Sequence, residues 1–323
     1  MRAIVVKDGN LELADRPSQE PSHHQVRVRI RACAVNRADL LQRRGMYPAP
    51  PDAPPDILGL EIAGEVDAVG PGVLELAKGD RVFGVVSGGA YAEEIIVHAR
   101  TLARMPEQLD FTEAAAIPEA FLTAYDAMVV QAGLAAGDVV LVHAVGSGVG
   151  TAAVQIARAI GARAIGTARH EKKLERARAL GMNDGIVPAD GPRFADQVKI
   201  LTNGRGADVC LELVGGSYVP ESLASLAEKG RLVLVGLMAG IRADVDLALV
   251  LRRRLHVIGT VLRARPLEEK IAAATILAHS IAPLVADKKL VPVVDEVLPL
   301  EKASEAHDRM ASNEGFGKIV LTT

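Results

Sequence analysis

The stretch from Val139 to Ile160 constrains the fold of this chain more than any other. An apolar run, Val139-Val-Leu-Val-His-Ala144, leads into Val145-Gly-Ser-Gly-Val-Gly150 and then into a helical pattern, Thr151–Ile160. Glycines between a strand and a helix let backbone N–H groups approach a pyrophosphate, and the helix N-terminus adds positive potential. A glycine pattern alone is weak evidence. Here a strand precedes it, a helix follows, and a second strand comes roughly 20 residues later, which is the confirming context. The same stretch carries no charged residue between Asp138 and Arg158, about the length of a bilayer span. Its glycines, with His143, Ser147, Thr151 and Gln155, split it instead into strand, turn and helix.

The rhythm around this motif extends the argument. From about Phe121 strands and helices alternate: strands at Val139–Ala144, Arg163–Ala168, Gly185–Ala189, Ala207–Val214, Arg231–Gly236 and His256–Leu262, helices at Gly150–Ile160, Glu171–Leu180 and Phe194–Leu201. Such alternation predicts an α/β, doubly wound parallel sheet built from two mononucleotide-binding halves. Before Phe121 the chain reads as β-rich, with strands at Val26–Ile30, Ile62–Val69, Arg81–Val86 and Glu93–Val97. Five prolines within Pro48–Pro55 mark a stiff surface loop. After Arg265 a helix (Leu267–Ala282), a strand (Pro292–Val297), a helix (Glu301–Ser312) and a last strand (Lys318–Leu321) are expected.

Composition removes several function classes. The 37 basic and 40 acidic residues nearly cancel, so there is no electrostatic footprint for nucleic acid or an anionic membrane. With 5 Phe, 4 Tyr and no Trp, the composition also argues against base-stacking platforms. Two distant cysteines, Cys33 and Cys210, cannot form a four-cysteine zinc site or an iron–sulfur cluster. The opening Met1-Arg-Ala-Ile-Val-Val-Lys-Asp8 does not read as a leader, and a reducing cytoplasmic location is the expectation.

The glycine motif also predicts the cofactor. A site for NAD carries an acid at the end of the second strand, to grip the ribose 2′-OH. Here that end reads Gly166-Thr-Ala-Arg169-His-Glu171-Lys172-Lys173. Cations follow where the acid is wanted, which suits a 2′-phosphate and hence NADPH.

The chain resembles the medium-chain dehydrogenase/reductase superfamily, in its zinc-free quinone oxidoreductase (ζ-crystallin-like) branch. Within that branch it is most similar to the tumour-suppressor-inducible NADPH quinone oxidoreductases. The matching stretches are Asn36-Arg-Ala-Asp39-Leu-Leu-Gln-Arg-Arg-Gly45-Met-Tyr47, Gly59-Leu-Glu61-Ile-Ala-Gly64, Lys78-Gly-Asp-Arg-Val82 and Gly89-Ala-Tyr91-Ala-Glu93. Further on come Ala116-Ile-Pro118-Glu-Ala-Phe-Leu-Thr123-Ala-Tyr125, His143-Ala144, Ser147-Gly-Val-Gly150 and Gly317-Lys318-Ile-Val320.

The resemblance implies a GroES-like β-rich catalytic domain over residues 1–121, completed by 264–323, around a Rossmann domain over 122–263, with the active site in the cleft between them. It implies hydride transfer from NADPH to a quinone, with candidate catalytic residues Asn36, Tyr47 and Ser147. Asn36 would sit beside the nicotinamide, held by Thr123 and the backbone at Gly236–Leu237. Ser147, Gly148, Val149 and Gly150 would take the pyrophosphate, Arg169 and Lys173 the 2′-phosphate, and Leu262-Arg263 would close over the cofactor. Lys318 counts among the cofactor-side residues, and two subunits would join through the strand His256–Leu262 into a homodimer.

Departures from the family sharpen the chemistry. Zinc-dependent relatives place a cysteine where Asn36 stands and a histidine where Leu60 stands, so no metal is expected. Without a Lewis acid, acceptors that are already polarised are favoured. Arg169 stands where many quinone reductases have glycine, and Ile186-Val-Pro188 where relatives often have tyrosine. His143 reads as a buried, hydrogen-bonded residue rather than a base, and Glu119 as a structural hydrogen-bonding carboxylate. No strong internal acid is expected near Asn36, so the final proton would come from water. Two other readings stay open: an NADPH-dependent alkenal or enone reductase, and a low-turnover NADPH-binding structural or sensor protein.

Overall fold

A computed structural model describes residues 1–188 and 191–323 of the chain. It divides into two compact units, Met1–Leu122 with Leu262–Thr323, and Thr123–Val261. These limits fall one residue after and two residues before those the sequence suggested.

The first unit opens on a hairpin, β1 (Arg2–Lys7) and β2 (Asn10–Asp15). Asp8 and Gly9 between them both have positive φ, as a two-residue turn requires. β3 (Gln25–Ala34) leads into α1 (Arg37–Arg43) and then into β4 (Glu61–Val69), β5 (Arg81–Val85), β6 (Glu94–His98) and β7 (Ala103–Arg104). The strict alternation of Val26, Val28 and Ile30 with Arg27 and Arg29 sends the apolar set into the core and the arginines outward. The short helix α2 (Phe111–Ala115) follows, and α3 (Pro118–Tyr125) carries the chain across the boundary at Leu122. The proline-rich stretch from Pro48 to Pro55 forms neither helix nor strand, as expected.

The second unit follows the βα alternation. Its elements are β8 (Val139–Val142), α4 (Gly148–Ile160), β9 (Arg163–Thr167), α5 (Glu171–Leu180), β10 (Asp184–Ile186), α6 (Ala195–Leu201), β11 (Ala207–Glu212), α7 (Tyr218–Ser225), β12 (Leu226–Leu234), α8 (Leu247–Arg253) and β13 (His256–Gly259). Ala189, the end of one expected strand, lies outside the described residues. All the strands pair in parallel, in the order β10-β9-β8-β11-β12-β13. The order reverses at β8, so the ends of β8 and β11 flank a switch point where ligands bind in such sheets.

The chain then returns to the first unit through α9 (Leu267–Ile276), a π-helical turn at Leu277–Ile281 and α10 (Ala282–Ala286). Ile271, Ala274, Leu277, Ile281 and Val285 give this run one buried stripe, and Pro283 lies in the first turn of α10, directly after the π-helical turn. The single helix expected here is therefore longer and interrupted. β14 (Val294–Pro299), α11 (Ala303–Ser312) and β15 (Lys318–Thr322) complete the unit. β15 runs antiparallel to β3 with Val320 opposite Ala34, which carries Lys318 to the end of β3 beside Asn36. That register builds the site described next.

Candidate active site and cofactor cradle

In the first unit, chemistry-bearing side chains converge where β3 ends. Asn36 is the N-cap of α1. Its amide nitrogen donates to the Ala34 carbonyl (3.2 Å) and to Glu61 Oε1 (2.8 Å), and its Oδ1 accepts from Lys318 Nζ (2.6 Å). Lys318 Nζ also donates to Val35 O (3.1 Å) and to Glu61 Oε1 (2.6 Å). Glu61 is fully buried, and its second oxygen accepts the Glu119 backbone N–H at 2.8 Å. An ammonium and a carboxylate are thus removed from water together, each hydrogen-bonded on every side that the fold leaves open.

Lys318 therefore departs from its expected role. Its three donors are engaged by three protein acceptors and it is only 4% exposed, so it organises the site rather than reaching for a cofactor. Arg263 departs in the same way. It is buried in the first unit, donating to Ser87 O (2.6 Å) and Gln42 Oε1 (2.7 Å), with its guanidinium over the Tyr47 ring (5.2 Å). Tyr47 is half-buried, and burial together with the nearby Glu119 carboxyl raises its pKa. Leu262 precedes Arg263 in the same unit.

The reading that no internal acid lies near Asn36 is corrected by two carboxyls. Asp39 is buried, accepts from the Asn36 N–H (2.7 Å), Tyr91 Oη–H (3.1 Å) and the Gly59 N–H (3.2 Å), and burial pushes its pKa up to about 6. Glu119 is the stronger case. Its Oε2 is sealed from solvent and has no hydrogen-bond partner, contrary to the hydrogen-bonding role expected of it. Burial and the neighbouring Glu61 charge push its pKa up to about 8. The clue in the sequence was a glutamate, Glu61, inside the apolar run Leu58–Ala63. A charge there must be buried with a partner, but nothing local says which one.

The second unit carries the glycine loop. Ser147 caps α4, its Oγ accepting the Gly150 N–H at 3.1 Å and its carbonyl the Thr151 N–H at 2.8 Å. The first-turn N–H groups of Gly148 and Val149 take no such bond among the described residues, and both residues are partly exposed. A Cβ on Gly150 would lie 2.5 Å from Ala144 O, and one on Gly236 would lie 2.6 Å from Leu213 O. Glycine alone permits this close approach, and the cradle fits a pyrophosphate. Leu237 follows Gly236 beyond the end of β12 and is exposed, whereas Thr123, in α3, is buried.

At the end of β9, Thr167 is buried and Arg169 exposed, with Lys173 partly exposed on α5. Glu171, at the start of α5, is ion-paired with Arg178 at 2.7 Å. Beneath the loop, His143 is fully buried between Thr167 Oγ1 and Ser222 Oγ (both 2.9 Å). Ser222 donates to Glu212 Oε2 (2.6 Å), so His143 Nε2 must donate to Ser222 and Nδ1 must accept from Thr167. Burial lowers its pKa, and this neutral ring ties the ends of β8 and β9 to α7. His143, Cys210 and Glu212 have ligand-type atoms within 4.8 Å of one another, but the ring nitrogens and carboxylate are already engaged and burial raises the thiol pKa.

Comparison with known proteins now places the chain. Residues 22–107 match the alcohol dehydrogenase GroES-like domain, and residues 148–278 match the zinc-binding dehydrogenase family. The chain is 33% identical over 306 residues to the quinone oxidoreductase of Homo sapiens, covering 93% of this chain and 90% of that protein. Among solved structures it is similar to a quinone oxidoreductase of Escherichia coli complexed with NADPH (TM-score 0.88, 27% identity, 100% of both chains covered). It is also similar to an NAD-dependent alcohol dehydrogenase (TM-score 0.85, 36% identity, 100% of both chains covered). It spans 5% of the polyketide synthase GfsB of Streptomyces halstedii, to which it is 39% identical over 302 residues and 92% of its own length. A GroES-like domain joined to a Rossmann-type parallel sheet defines a medium-chain dehydrogenase/reductase. The chain belongs to that superfamily and, within it, to the quinone oxidoreductase family.

Proposed function

We propose that this protein is a zinc-independent NADPH:quinone oxidoreductase. The observation that carries the reading is the Asn36–Glu61–Lys318 cluster. A catalytic zinc needs thiolate, imidazole or carboxylate donors around an open position. Asn36 and the buried Leu60 offer an engaged amide and an alkyl chain, and Lys318 already neutralises Glu61, so this donor set does not fit a metal. Alcohol oxidation without a Lewis acid is disfavoured, and a quinone, electron-poor from the start, is the suited acceptor.

NADPH, when bound, supplies a hydride from nicotinamide C4. The protein's contribution is placement. Gly148, Val149 and Gly150 would hold the pyrophosphate, and Arg169 and Lys173 the 2′-phosphate. The Asn36 cluster would fix the acceptor side. The two buried, unpaired cysteines suit a cytoplasmic protein. The edge strand β13, with Val257 half exposed, suits a homodimer joined through the sheet.

The test is NADPH oxidation with ortho- and para-quinones, with an alcohol plus NADP⁺ as the contrast, before and after exhaustive chelation. We expect quinone-dependent turnover that survives chelation. Activity abolished by the chelator and restored by zinc would refute the reading.

A further inference from the structure

We propose that Glu119 is the internal proton donor of the reaction: its carboxyl protonates the oxygen of the acceptor after hydride arrival. This deepens the quinone reading and rests on it. Three observations carry it. Glu119 Oε2 is sealed from solvent with no hydrogen-bond partner, so an ionised carboxylate there would be stranded. The Glu119 backbone N–H binds the same Glu61 carboxylate that holds Asn36, which places the acid in the cluster assigned to the acceptor. Of its two carboxyl oxygens only Oε2 is sealed in this way and the residue as a whole keeps partial exposure, which leaves the other oxygen as the route to a ligand and to water.

The surroundings decide its protonation state. Glu61 from β4 and Asp39 from α1 repel a negative charge on Glu119, while Lys318 from β15 and the Arg263 guanidinium attract it. Tyr47, on the loop after α1, senses the same carboxyl. Burial and Glu61 prevail, so Glu119 holds its proton to about pH 8. The stoichiometry closes. A quinone that gains a hydride, two electrons and one proton, becomes a hydroquinonate as the nicotinamide donor is oxidised. The O–H bond of Glu119 then breaks, a hydroquinone O–H forms, and water reprotonates the carboxylate before the next turnover.

Glu119→Gln keeps the size and neutrality of the protonated acid, and Glu119→Asp retains the acid on a shorter stem. In the wild type we expect kcat to fall as pH rises through about 8. In Glu119→Gln we expect kcat lower by about 100-fold or more, without that alkaline limb and with NADPH affinity kept within about twofold. Glu119→Asp should recover part of the rate and the limb. The ligand-free protein gives an independent readout. Its infrared spectrum should show a protonated-carboxyl band that titrates away near pH 8 and is missing from Glu119→Gln. Stability obeys the same linkage. A carboxyl raised from 4.5 favours the fold at low pH, so the urea midpoint should fall as pH rises toward 8 in the wild type, and less in Glu119→Gln. Full kcat in Glu119→Gln with the limb unchanged would overturn the proposal, as would a thousandfold loss in Tyr47→Phe at saturating quinone. A wild type without quinone turnover would overturn the functional reading, whereas a missing carboxyl band would overturn this inference alone.

Discussion

Replacing Lys318 by methionine isolates the buried ion pair on which the Asn36 cluster is built. Methionine fills similar volume but removes the ammonium and its three hydrogen bonds, to Val35 O, Asn36 Oδ1 and Glu61 Oε1. Glu61 then keeps only the Asn36 amide and the Glu119 N–H as hydrogen-bond partners. Breaking one half of a buried pair costs about 3–5 kcal/mol, because the other charge is stranded. The pair itself need not be a net gain over an apolar replacement of the same shape. Lys318→Met/Glu61→Leu should therefore recover most of the loss, giving a coupling energy of about 2 kcal/mol or more in a double-mutant cycle. Urea unfolding at neutral pH, followed by far-UV circular dichroism, supplies the three differences. A loss below about 1 kcal/mol in Lys318→Met, or strictly additive single losses, would refute the claim that Glu61 depends on Lys318.

Cofactor choice is tested at Lys173, where Lys173→Ala should weaken NADPH binding by roughly 10- to 150-fold, the value of one charged hydrogen bond, and leave NADH nearly unchanged. Equal affinity of the wild type for the two cofactors would refute the 2′-phosphate assignment. For assembly, light scattering at micromolar concentration should give twice the chain mass of 34.0 kDa, whereas a monomer would contradict pairing through β13.

The glycine loop was legible because everything it needs is local. Strand period and glycine spacing lie within the 22 residues from Val139 to Ile160, and the structure differs in ending β8 two residues earlier, at Val142, and starting α4 two residues earlier, at Gly148. The hairpin at Asp8-Gly9 was missed although its turn chemistry was present, since β2 is largely exposed and lacks a clear alternating pattern. The cluster around Asn36 was illegible for a different reason. Lys318 lies 282 residues from Asn36 and reaches it only through the β15–β3 register. Glu61 arrives from the β3–β4 pairing, in which Ile62 faces Cys33. Each of these residues was visible in the sequence as a motif letter; their partners were not.

That difference explains why the surroundings of Lys318, Arg263 and Glu119 were not visible in the sequence. A long cation near a predicted site invites assignment to a ligand, because sequence shows its charge but not what consumes it. In the folded first unit Lys318 faces a carboxylate that cannot reach water, and Arg263 meets two acceptors while covering the Tyr47 ring. Both cations serve the protein. The converse holds for Glu119, whose carboxyl was expected to be satisfied and is the group left with an unpartnered oxygen. The same buried charges link these outcomes. Lys318 pairs with Glu61, and the Glu61 charge beside Glu119 helps raise that carboxyl. Charges closed internally around Asn36 thereby raise a neighbouring acid into the range where it can exchange a proton near neutral pH.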